Sequence, residues 1–380
     1  MRGYIRQRGN AWQAVVSAGF DPLTKKRVQR YATAKTPEDA ERELTRLLRD
    51  VDTGVSVDPG KLTLGRYLVD QWLPHQATRV RGKTLHRYRQ LLAVHVLPVL
   101  GTVKMAKVRP AHVQGVLDRM KTAPRTKVQV YRVLSAALRQ AVRWQILATN
   151  PAQAASPPRP GRPSLTVPDA PTVNRILAGS EGWFRVALTL GATTGARRGE
   201  VLALQWRDVD LGAAVARITQ AVEAVGQELS FGPPKTDRAR RTLALPAGTV
   251  AMLRRWQKDQ KERRLLLGPE WHPTDLVVEL GDGRPVHPDV FSRRFQRLTV
   301  RLGLGGVRLH DLRHFYASEC LRAGVHPKVV SEALGHASTA FTMDTYSHLL
   351  PVMQEQAAAA IERALGVGKV WADGFPDSPQ

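Results

Sequence analysis

Four short motifs in the second half of the chain bring together arginine, lysine, histidine and tyrosine. One surrounds Arg197, one Lys235 and one Arg313, and the last runs from His336 to Tyr346. Arginine side chains bind phosphate oxygens through paired hydrogen bonds, and tyrosine can form a covalent phosphoester. Lysine and histidine can transfer the proton that a leaving oxygen needs. Together these residue types are suited to cleaving a phosphodiester without a metal ion.

Each motif by itself also has a simpler interpretation. The turn around Arg197, the basic stretch at Lys235 and a lone tyrosine are more often structural than functional. His310 and His314 are four residues apart, a spacing that can chelate zinc on a helix. The glutamate of that zinc motif is missing, however, and Arg313 would repel a metal ion, so the sequence favours an anion at this position.

The overall charge also points to an anionic partner. The 380 residues include 57 Lys+Arg and 33 Asp+Glu, a formal net charge of +24, which suits nucleic acid or an acidic membrane surface. We see no signal peptide and no apolar stretch long enough to span a membrane, and the basic helices lack an aromatic-rich amphipathic face. The single cysteine, Cys320, excludes a disulfide framework. We therefore expect a cytoplasmic protein that binds DNA or RNA and has no membrane partner.

The positive charge is concentrated in one block. Residues 1–61 carry a net charge of +4, residues 62–160 carry +15 and residues 161–380 carry +5. The middle block has only two acidic residues, and its apolar spacing predicts helices over 64–73, 83–95, 109–120 and 126–147. An all-basic helix face suits phosphate contacts. We expect contacts to DNA from Lys83, Arg87, Arg132, Arg139 and Arg143.

The first block predicts a small sheet followed by a helix. Alternating runs over 11–20 and 27–33 read as strands, and Thr36 is a plausible cap for a helix that begins at Pro37. The sheet could lie against DNA, although an ordinary small domain with a charged surface fits the same pattern. The candidate DNA contacts here are Arg6, Arg8, Lys25 and Lys26.

The third block follows a segment rich in proline and alanine and mixes helices with short strands. The stretch that contains Lys235 is predicted to connect two short strands, which would hold Lys235 at the edge of a hairpin. Helices are expected over 171–177, 182–191, 247–261, 311–322 and 327–334, and strands over 214–221 and 241–245.

In their order along the chain, the motifs resemble those of the tyrosine recombinases, also called phage-type integrases. The matching segments are TGARRGE at 194–200, Lys235 with the strand RRTLAL, HDLRH at 310–314, LGH at 334–336 and TMDTYSH at 342–348. The resemblance implies a multidomain, mainly α fold. Its parts would be an arm-type DNA-binding domain of a small sheet plus helix at 1–57, an all-α core-binding (SAM-like) domain at 62–155, a linker at 156–165, an α+β catalytic domain at 166–366 and a flexible tail at 367–380.

The resemblance also implies a mechanism and a role for each site residue. Tyr346 would attack a DNA phosphate, giving a 3′-phosphotyrosyl link and a free 5′-hydroxyl, with no need of ATP, a metal or another cofactor. Arg198 is an alternative phosphate ligand to its neighbour Arg197, but the family pattern favours Arg197. The other roles are phosphate binding by Arg197 and Arg313, protonation of the 5′-oxygen by Lys235, proton transfer by His310, a phosphate hydrogen bond from His336, and orientation of the site by Glu200.

The function implied is integration or excision of a prophage or mobile element. The partners implied are double-stranded attachment sites, a homotetramer that passes through a Holliday junction, and possible accessory proteins: an excision factor and a host DNA-bending protein. A helix over 352–365 could dock on a neighbouring subunit. The alternatives are a host recombinase that resolves chromosome dimers, a relaxing topoisomerase, and a DNA-binding regulator with an inactive recombinase domain. The amino-terminal domain argues against the first two, and the complete residue set argues against the third.

Overall fold

The computed structural model divides the chain into two compact units, residues 1–162 and 163–380, which are described separately. No helix within the described residues is long and apolar enough to cross a membrane. The described residues are 3–20, 27–52, 62–161, 167–234, 239–335, 338, 340, 343, 346 and 350–365.

The first unit begins with a three-stranded antiparallel sheet in the order β1-β2-β3, covered by helix α1. Thr36 caps α1, because the backbone N–H of Asp39 donates to its Oγ1 at 3.2 Å. The predicted strands and helix are present, but β1 was missed, since Ile5 alone on this polar strand packs against the core. The bounds are β1 Gly3–Arg8, β2 Ala11–Phe20, β3 Arg27–Ala34 and α1 Pro37–Asp52.

The rest of the first unit is helical, as its apolar spacing predicts. Its core surrounds Trp72 and Tyr67, whose phenol donates to the carbonyl of Ala137 at 2.7 Å. The bounds are α2 Leu64–Arg66, α3 Leu73–Ala77, α4 Gly82–Leu91, α5 Leu97–Leu100, α6 Pro110–Arg119 and α7 Pro124–Arg143, with π-helical turns at Tyr67–Trp72 and Leu92–Val96 and 3₁₀ turns at Met105–Lys107 and Pro151–Ala154.

The second unit mixes helices with two small sheets. Strands β4, β5 and β8 form one antiparallel sheet, and β6 pairs with β7 in another. The bounds are α8 Ala170–Ala178, α9 Gly182–Thr194, α10 Arg198–Val201, β4 Val209–Asp210, β5 Val215–Ile218, β6 Ala221–Val225, β7 Glu228–Gly232, β8 Arg241–Ala244, α11 Ala247–Leu267, α12 Pro288–Arg301, α13 Asp311–Arg322, α14 Pro327–Leu334 and α15 Leu350–Leu365, with 3₁₀ turns at Trp206–Asp208 and Gly268–Glu270.

One sequence-based expectation for this unit was wrong, and one of its helices was not predicted. The strands on either side of Lys235 do not form a hairpin, because β7 pairs with β6 whereas β8 pairs with β5. Helix α12 was not predicted, although Phe291, Phe295 and Leu298 follow helical spacing and are buried. These side chains join the main core of the unit, which also includes Leu312. The first turn of α13, with Arg313 next in the chain, is thereby anchored to that core.

Candidate active site

Arg313 is the most enclosed cation of the predicted site, with 4% of its surface exposed. It lies in the first turn of α13 and donates from Nη1 to the carbonyl of Gly195 at 2.8 Å and from Nη2 to the carbonyl of Leu334 at 2.7 Å. These carbonyls lie at the carboxyl ends of α9 and α14. Because helix carboxyl ends carry partial negative charge, they stabilise a buried guanidinium. We call this arrangement the arginine cradle.

Two glycines end the helices that form the cradle. Gly195 and Gly335 have φ angles of 64° and 63°, the left-handed region that glycine enters without a steric penalty. A Cβ on Gly195 would lie 2.6 Å from Cδ1 of Tyr316 and 2.7 Å from Cδ2 of Leu334. A side chain at Gly195 would therefore push α13 and α14 away from the end of α9.

Glu200 joins a second pair of arginines beside the cradle. Its Oε1 accepts from Nη1 of Arg197 at 2.9 Å, and its Oε2 accepts from Nη2 of Arg241 at 2.8 Å. Arg197 also donates from Nη2 to the carbonyl of Gly335 at 2.7 Å, and Arg241 donates to the carbonyl of Ala333. One buried carboxylate thus fixes two guanidiniums against the end of α14.

The charges in this cluster act on one another. Burial opposes ionisation of Glu200, but hydrogen bonds and attraction from Arg241 and Arg197 outweigh it, so the pKa of Glu200 lies below its usual value. Burial, followed by repulsion from Arg197 and Arg241, lowers the pKa of Arg313 to about 9. Arg313 is still charged at neutral pH, and this concentration of positive charge favours an anion beside it.

The neighbouring arginines 197 and 198 point to different parts of the fold. Arg198 donates from Nη1 to the carbonyl of Pro288 at 3.0 Å and to Oγ of Ser292 at 2.5 Å, and Asp289 lies 3.6 Å from the same nitrogen. It is therefore held at the start of α12. Arg197 stands beside the cradle and keeps 39% of its side chain exposed. This placement favours Arg197 as the phosphate ligand.

Tyr346 reaches the same site from beyond α14. Its Oη lies 2.8 Å from Nδ1 of His314, while the residue is 2% exposed and packs with Ala317, Leu321 and Leu334. Burial raises the pKa of Tyr346 to about 12, and the nearby positive charge of Arg313 offsets this only in part. The phenol therefore keeps its proton at neutral pH.

His310 immediately precedes α13, and its ring centre lies 4.9 Å from that of His314. Although the residue is exposed at the surface, its imidazole is crowded by protein. That desolvation, followed by electrostatic repulsion from His314 when it is protonated and from Arg313, lowers the pKa of His310. It is therefore neutral at pH 7. The described residues contain no group of three or more histidine, cysteine, aspartate or glutamate side chains that could hold a metal ion.

The structure brings together Arg197, Glu200, His310, Arg313 and Tyr346 among the predicted site residues. Four other predicted site residues lie outside the described residues: Lys25, Lys26, Lys235 and His336.

Two residues of the site, Arg241 and His314, had no role in the mechanism implied by the resemblance, although His314 was considered as part of a zinc or anion site. Strand alternation contained the signal for Arg241, because it shares a strand face with Leu243 and Leu245, which are buried. No local signal places His314 beside Tyr346, since the two are 32 residues apart.

The predicted DNA contacts of the first unit are surface residues. On α7, Arg132, Arg139 and Arg143 are exposed on the side opposite buried Val130, Leu134 and Leu138. Lys83 and Arg87 are exposed on α4, where Arg87 donates to Oε1 of Gln90 at 2.7 Å and to Oε1 of Gln129 at 2.9 Å. In the amino-terminal sheet Arg6 and Arg8 are exposed, and Arg6 donates to Oε1 of Gln13 at 2.8 and 3.0 Å.

Two family descriptions match this chain, one in each unit. Residues 168–352 match the phage integrase family, and residues 66–121 match the phage integrase N-terminal SAM-like domain. An integrase of Streptomyces ambofaciens is 31% identical over 364 residues, covering 93% of this chain and 92% of the relative. The chain belongs to the phage integrase family. It is a tyrosine recombinase, a site-specific enzyme that cuts and rejoins DNA, so this sequence-based prediction is confirmed.

Other integrases show how far the likeness extends. The integrase of Mycobacterium phage D29 is 27% identical over 292 residues, which cover 75% of each chain. A Tn1549 transposon integrase solved with transposon right end DNA gives a TM-score of 0.65 at 18% identity, covering 80% of this chain and 99% of that one. A lambda integrase tetramer bound to a Holliday junction gives 0.55 at 18% identity, covering 89% and 96%. These likenesses confirm the multidomain, mainly helical fold.

Proposed function

We propose that this integrase cuts DNA with Tyr346 as its nucleophile. Oη of Tyr346 would attack the scissile phosphorus, forming a 3′-phosphotyrosyl bond as the bond to the 5′-oxygen breaks. The freed 5′-hydroxyl of a partner strand would then attack the phosphotyrosine and rejoin the DNA. The observation that carries the proposal is the convergence of Tyr346 with Arg313 and Arg197 in one site.

Arg313 and Arg197 would bind the non-bridging oxygens of that phosphate. Their guanidiniums are fixed by backbone carbonyls and by Glu200, so little reorganisation accompanies the build-up of negative charge in the transition state. Glu200 would be a positioning residue, and Arg241 would act with it by holding its second oxygen. Neutral His310 would take part in proton transfer at the phosphate.

Two further roles come from the sequence resemblance. Lys235 would protonate the departing 5′-oxygen, and His336 would donate a hydrogen bond to the phosphate. Because the phosphotyrosine conserves the energy of the broken bond, the reaction would need neither ATP nor a metal.

The first unit would supply most of the affinity for double-stranded attachment sites. Lys83, Arg87, Arg132, Arg139 and Arg143 are exposed on helices almost free of acids, as non-specific phosphate contact requires. Residues 62–155 would form the core-binding domain, residues 166–366 the catalytic domain, residues 156–165 the linker and residues 367–380 a tail. Residues 1–57 would form an arm-binding domain, with contacts from Arg6, Arg8, Lys25 and Lys26.

Recombination would require four copies of the chain. The lambda integrase resembled here was solved as a tetramer on a Holliday junction, and an exchange between two duplexes needs four cuts. Helix α15 would dock on a neighbouring subunit. An excision factor and a host DNA-bending protein would set the direction of the reaction, and the enzyme would act in the cytoplasm on the nucleoid.

A suicide-substrate assay tests the assignment of the nucleophile. Direct repeats that flank the element carrying the gene supply the attachment site, and a nick beside the cleavage position traps covalent protein–DNA complexes on a denaturing gel. We expect Tyr346→Phe to bind this DNA and form no adduct, whereas Tyr316→Phe, a control on α13, forms it. An adduct with Tyr346→Phe would exclude Tyr346 as the nucleophile.

A further inference from the structure

Tyr346 has a hydrogen-bond partner that none of the assigned roles uses. Nδ1 of His314 lies 2.8 Å from the phenol oxygen, and the two ring centres are 5.9 Å apart with a tilt of 60°. His314 is half-buried on α13, one residue after Arg313. The residue beside the cradle arginine thus touches the atom proposed to attack the phosphate.

The protonation states of the pair allow the phenol to donate this hydrogen bond to the imidazole. Burial lowers the pKa of His314, so the imidazole is neutral at pH 7. The phenol keeps its proton, because burial raises the pKa of Tyr346 to about 12. When Nε2 of His314 carries the ring hydrogen, Nδ1 accepts the phenol O–H, and this is the tautomer that a base for Tyr346 requires.

The groups around His314 keep its imidazole neutral in the resting enzyme. Burial is the largest influence on its pKa, Asp311 acts in the opposite direction, and Arg308 and Arg313 reinforce burial. The fourth neighbour is His310, whose ring centre lies 4.9 Å away and which is itself neutral.

We propose that His314 is the general base for Tyr346, an inference that rests on the proposed role of Tyr346 as nucleophile. As the phenol oxygen bonds to phosphorus, its O–H bond breaks and the proton moves to Nδ1 of His314. The bond from phosphorus to the 5′-oxygen breaks at the same time, and that oxygen takes a proton from the separate acid. In strand joining, the 5′-hydroxyl attacks phosphorus and His314 returns its proton to the departing phenol oxygen.

This role explains how a phenol of raised pKa can attack at neutral pH. Without a base, the enzyme would depend on the small fraction of Tyr346 that is ionised, and that fraction rises tenfold for each pH unit. With His314 as the base, the cleavage rate is independent of pH above the pKa of the imidazole and falls only when His314 becomes protonated in acid.

The pH dependence of cleavage tests the proposal, with single-turnover adduct formation on the nicked substrate as the measurement. In His314→Asn the amide oxygen can still accept the phenol hydrogen bond, but it cannot take up the proton. We expect a loss of about 100-fold at pH 7, a typical contribution of a general base. We also expect the rate of this variant to rise with pH between about 7 and 9, where the wild type is flat.

A control, a chemical rescue and a substitute variant support this test. His272→Asn, an exposed histidine of the same unit, should behave like the wild type. A fluorinated tyrosine at position 346, whose phenol is more acidic, should restore much of the rate of His314→Asn. If His314→Asn fails to bind DNA, His314→Gln takes its place.

Two results would overturn the proposal: a His314 variant that cleaves at the wild-type rate, or one whose slower rate runs parallel to the wild-type profile at every pH. Adduct formation by Tyr346→Phe would instead overturn the nucleophile assignment, so the two failures can be told apart.

Discussion

The helical part of the first unit and the site of the second unit surround their arginines differently. On α7, Arg132, Arg139 and Arg143 are exposed to solvent, and the block they belong to has 17 basic and only two acidic residues. In the second unit Arg313 is buried and bonded to two helix ends. Charge that is abundant and exposed suits sequence-tolerant attraction to phosphates, whereas charge that is buried and fixed suits stabilisation of one transition state.

The largest loss of cleavage activity is expected when Arg313, the buried arginine of the cradle, is replaced. Arg313→Lys retains a positive charge, but an ammonium cannot bond both Gly195 and Leu334 in the geometry of the guanidinium fork. We expect cleavage to fall by roughly 10³-fold with DNA binding retained, as measured by single-turnover assays and gel shift. Arg175→Lys, an exposed arginine of α8 that donates to the carbonyl of Leu302, is the matched control. Near-normal cleavage by Arg313→Lys would contradict the role of the cradle.

A smaller loss of cleavage activity should distinguish Arg197 from its neighbour Arg198. Arg197→Lys should reduce cleavage by roughly 10²-fold, as loss of one transition-state contact does. Arg198→Lys should leave cleavage within a few fold, because that side chain is tied to Pro288 and Ser292. The reverse ranking would make Arg198 the phosphate ligand.

Replacing Glu200 tests how much cleavage and stability depend on the positions of Arg197 and Arg241. Glu200→Gln leaves the guanidinium of Arg241 buried without its counter-charge, and breaking a buried pair costs about 3 kcal/mol of unfolding free energy. Because Arg197 loses the same partner, cleavage should also fall, by roughly tenfold to a hundredfold. Denaturant unfolding and adduct formation measure the two effects, with exposed Glu270→Gln as the control. Unchanged stability and cleavage would show that Glu200 does not position the arginines.

The smallest effect per residue is expected when the exposed basic residues of α4 and α7 are neutralised. Each phosphate contact contributes about 0.9 to the slope of log affinity against log salt and roughly fivefold to affinity at physiological salt. Neutralising Lys83, Arg87, Arg132, Arg139 and Arg143 together should flatten that slope, while the cleavage rate of saturated complexes stays near that of the wild type. An unchanged slope would show that these five residues do not contact DNA phosphates.

The same contrast explains which features the sequence could reveal. The face of α7 follows from helical spacing alone, because a basic and an apolar side emerge from one periodic pattern. The contact of Arg197 with Glu200 is equally local, since the two are three residues apart. Long-range contacts left no such pattern, so neither the pairing of β8 with β5 nor the approach of His314 to Tyr346 could be predicted. Arg241 lies between these cases, because strand alternation indicates its buried face but not its partner.

The arginine cradle also bears on the order in which the chain becomes active during synthesis. Arg197 bonds to Gly335, 138 residues further along the chain, and Arg313 bonds to Leu334. The amino-terminal unit leaves the ribosome first, and domains generally fold as units in that order. A chain that stops before Leu334 would therefore retain the basic helices while lacking carbonyls that hold both arginines. If the first unit binds DNA as proposed, such a fragment would occupy DNA without cutting it and would compete with the complete enzyme.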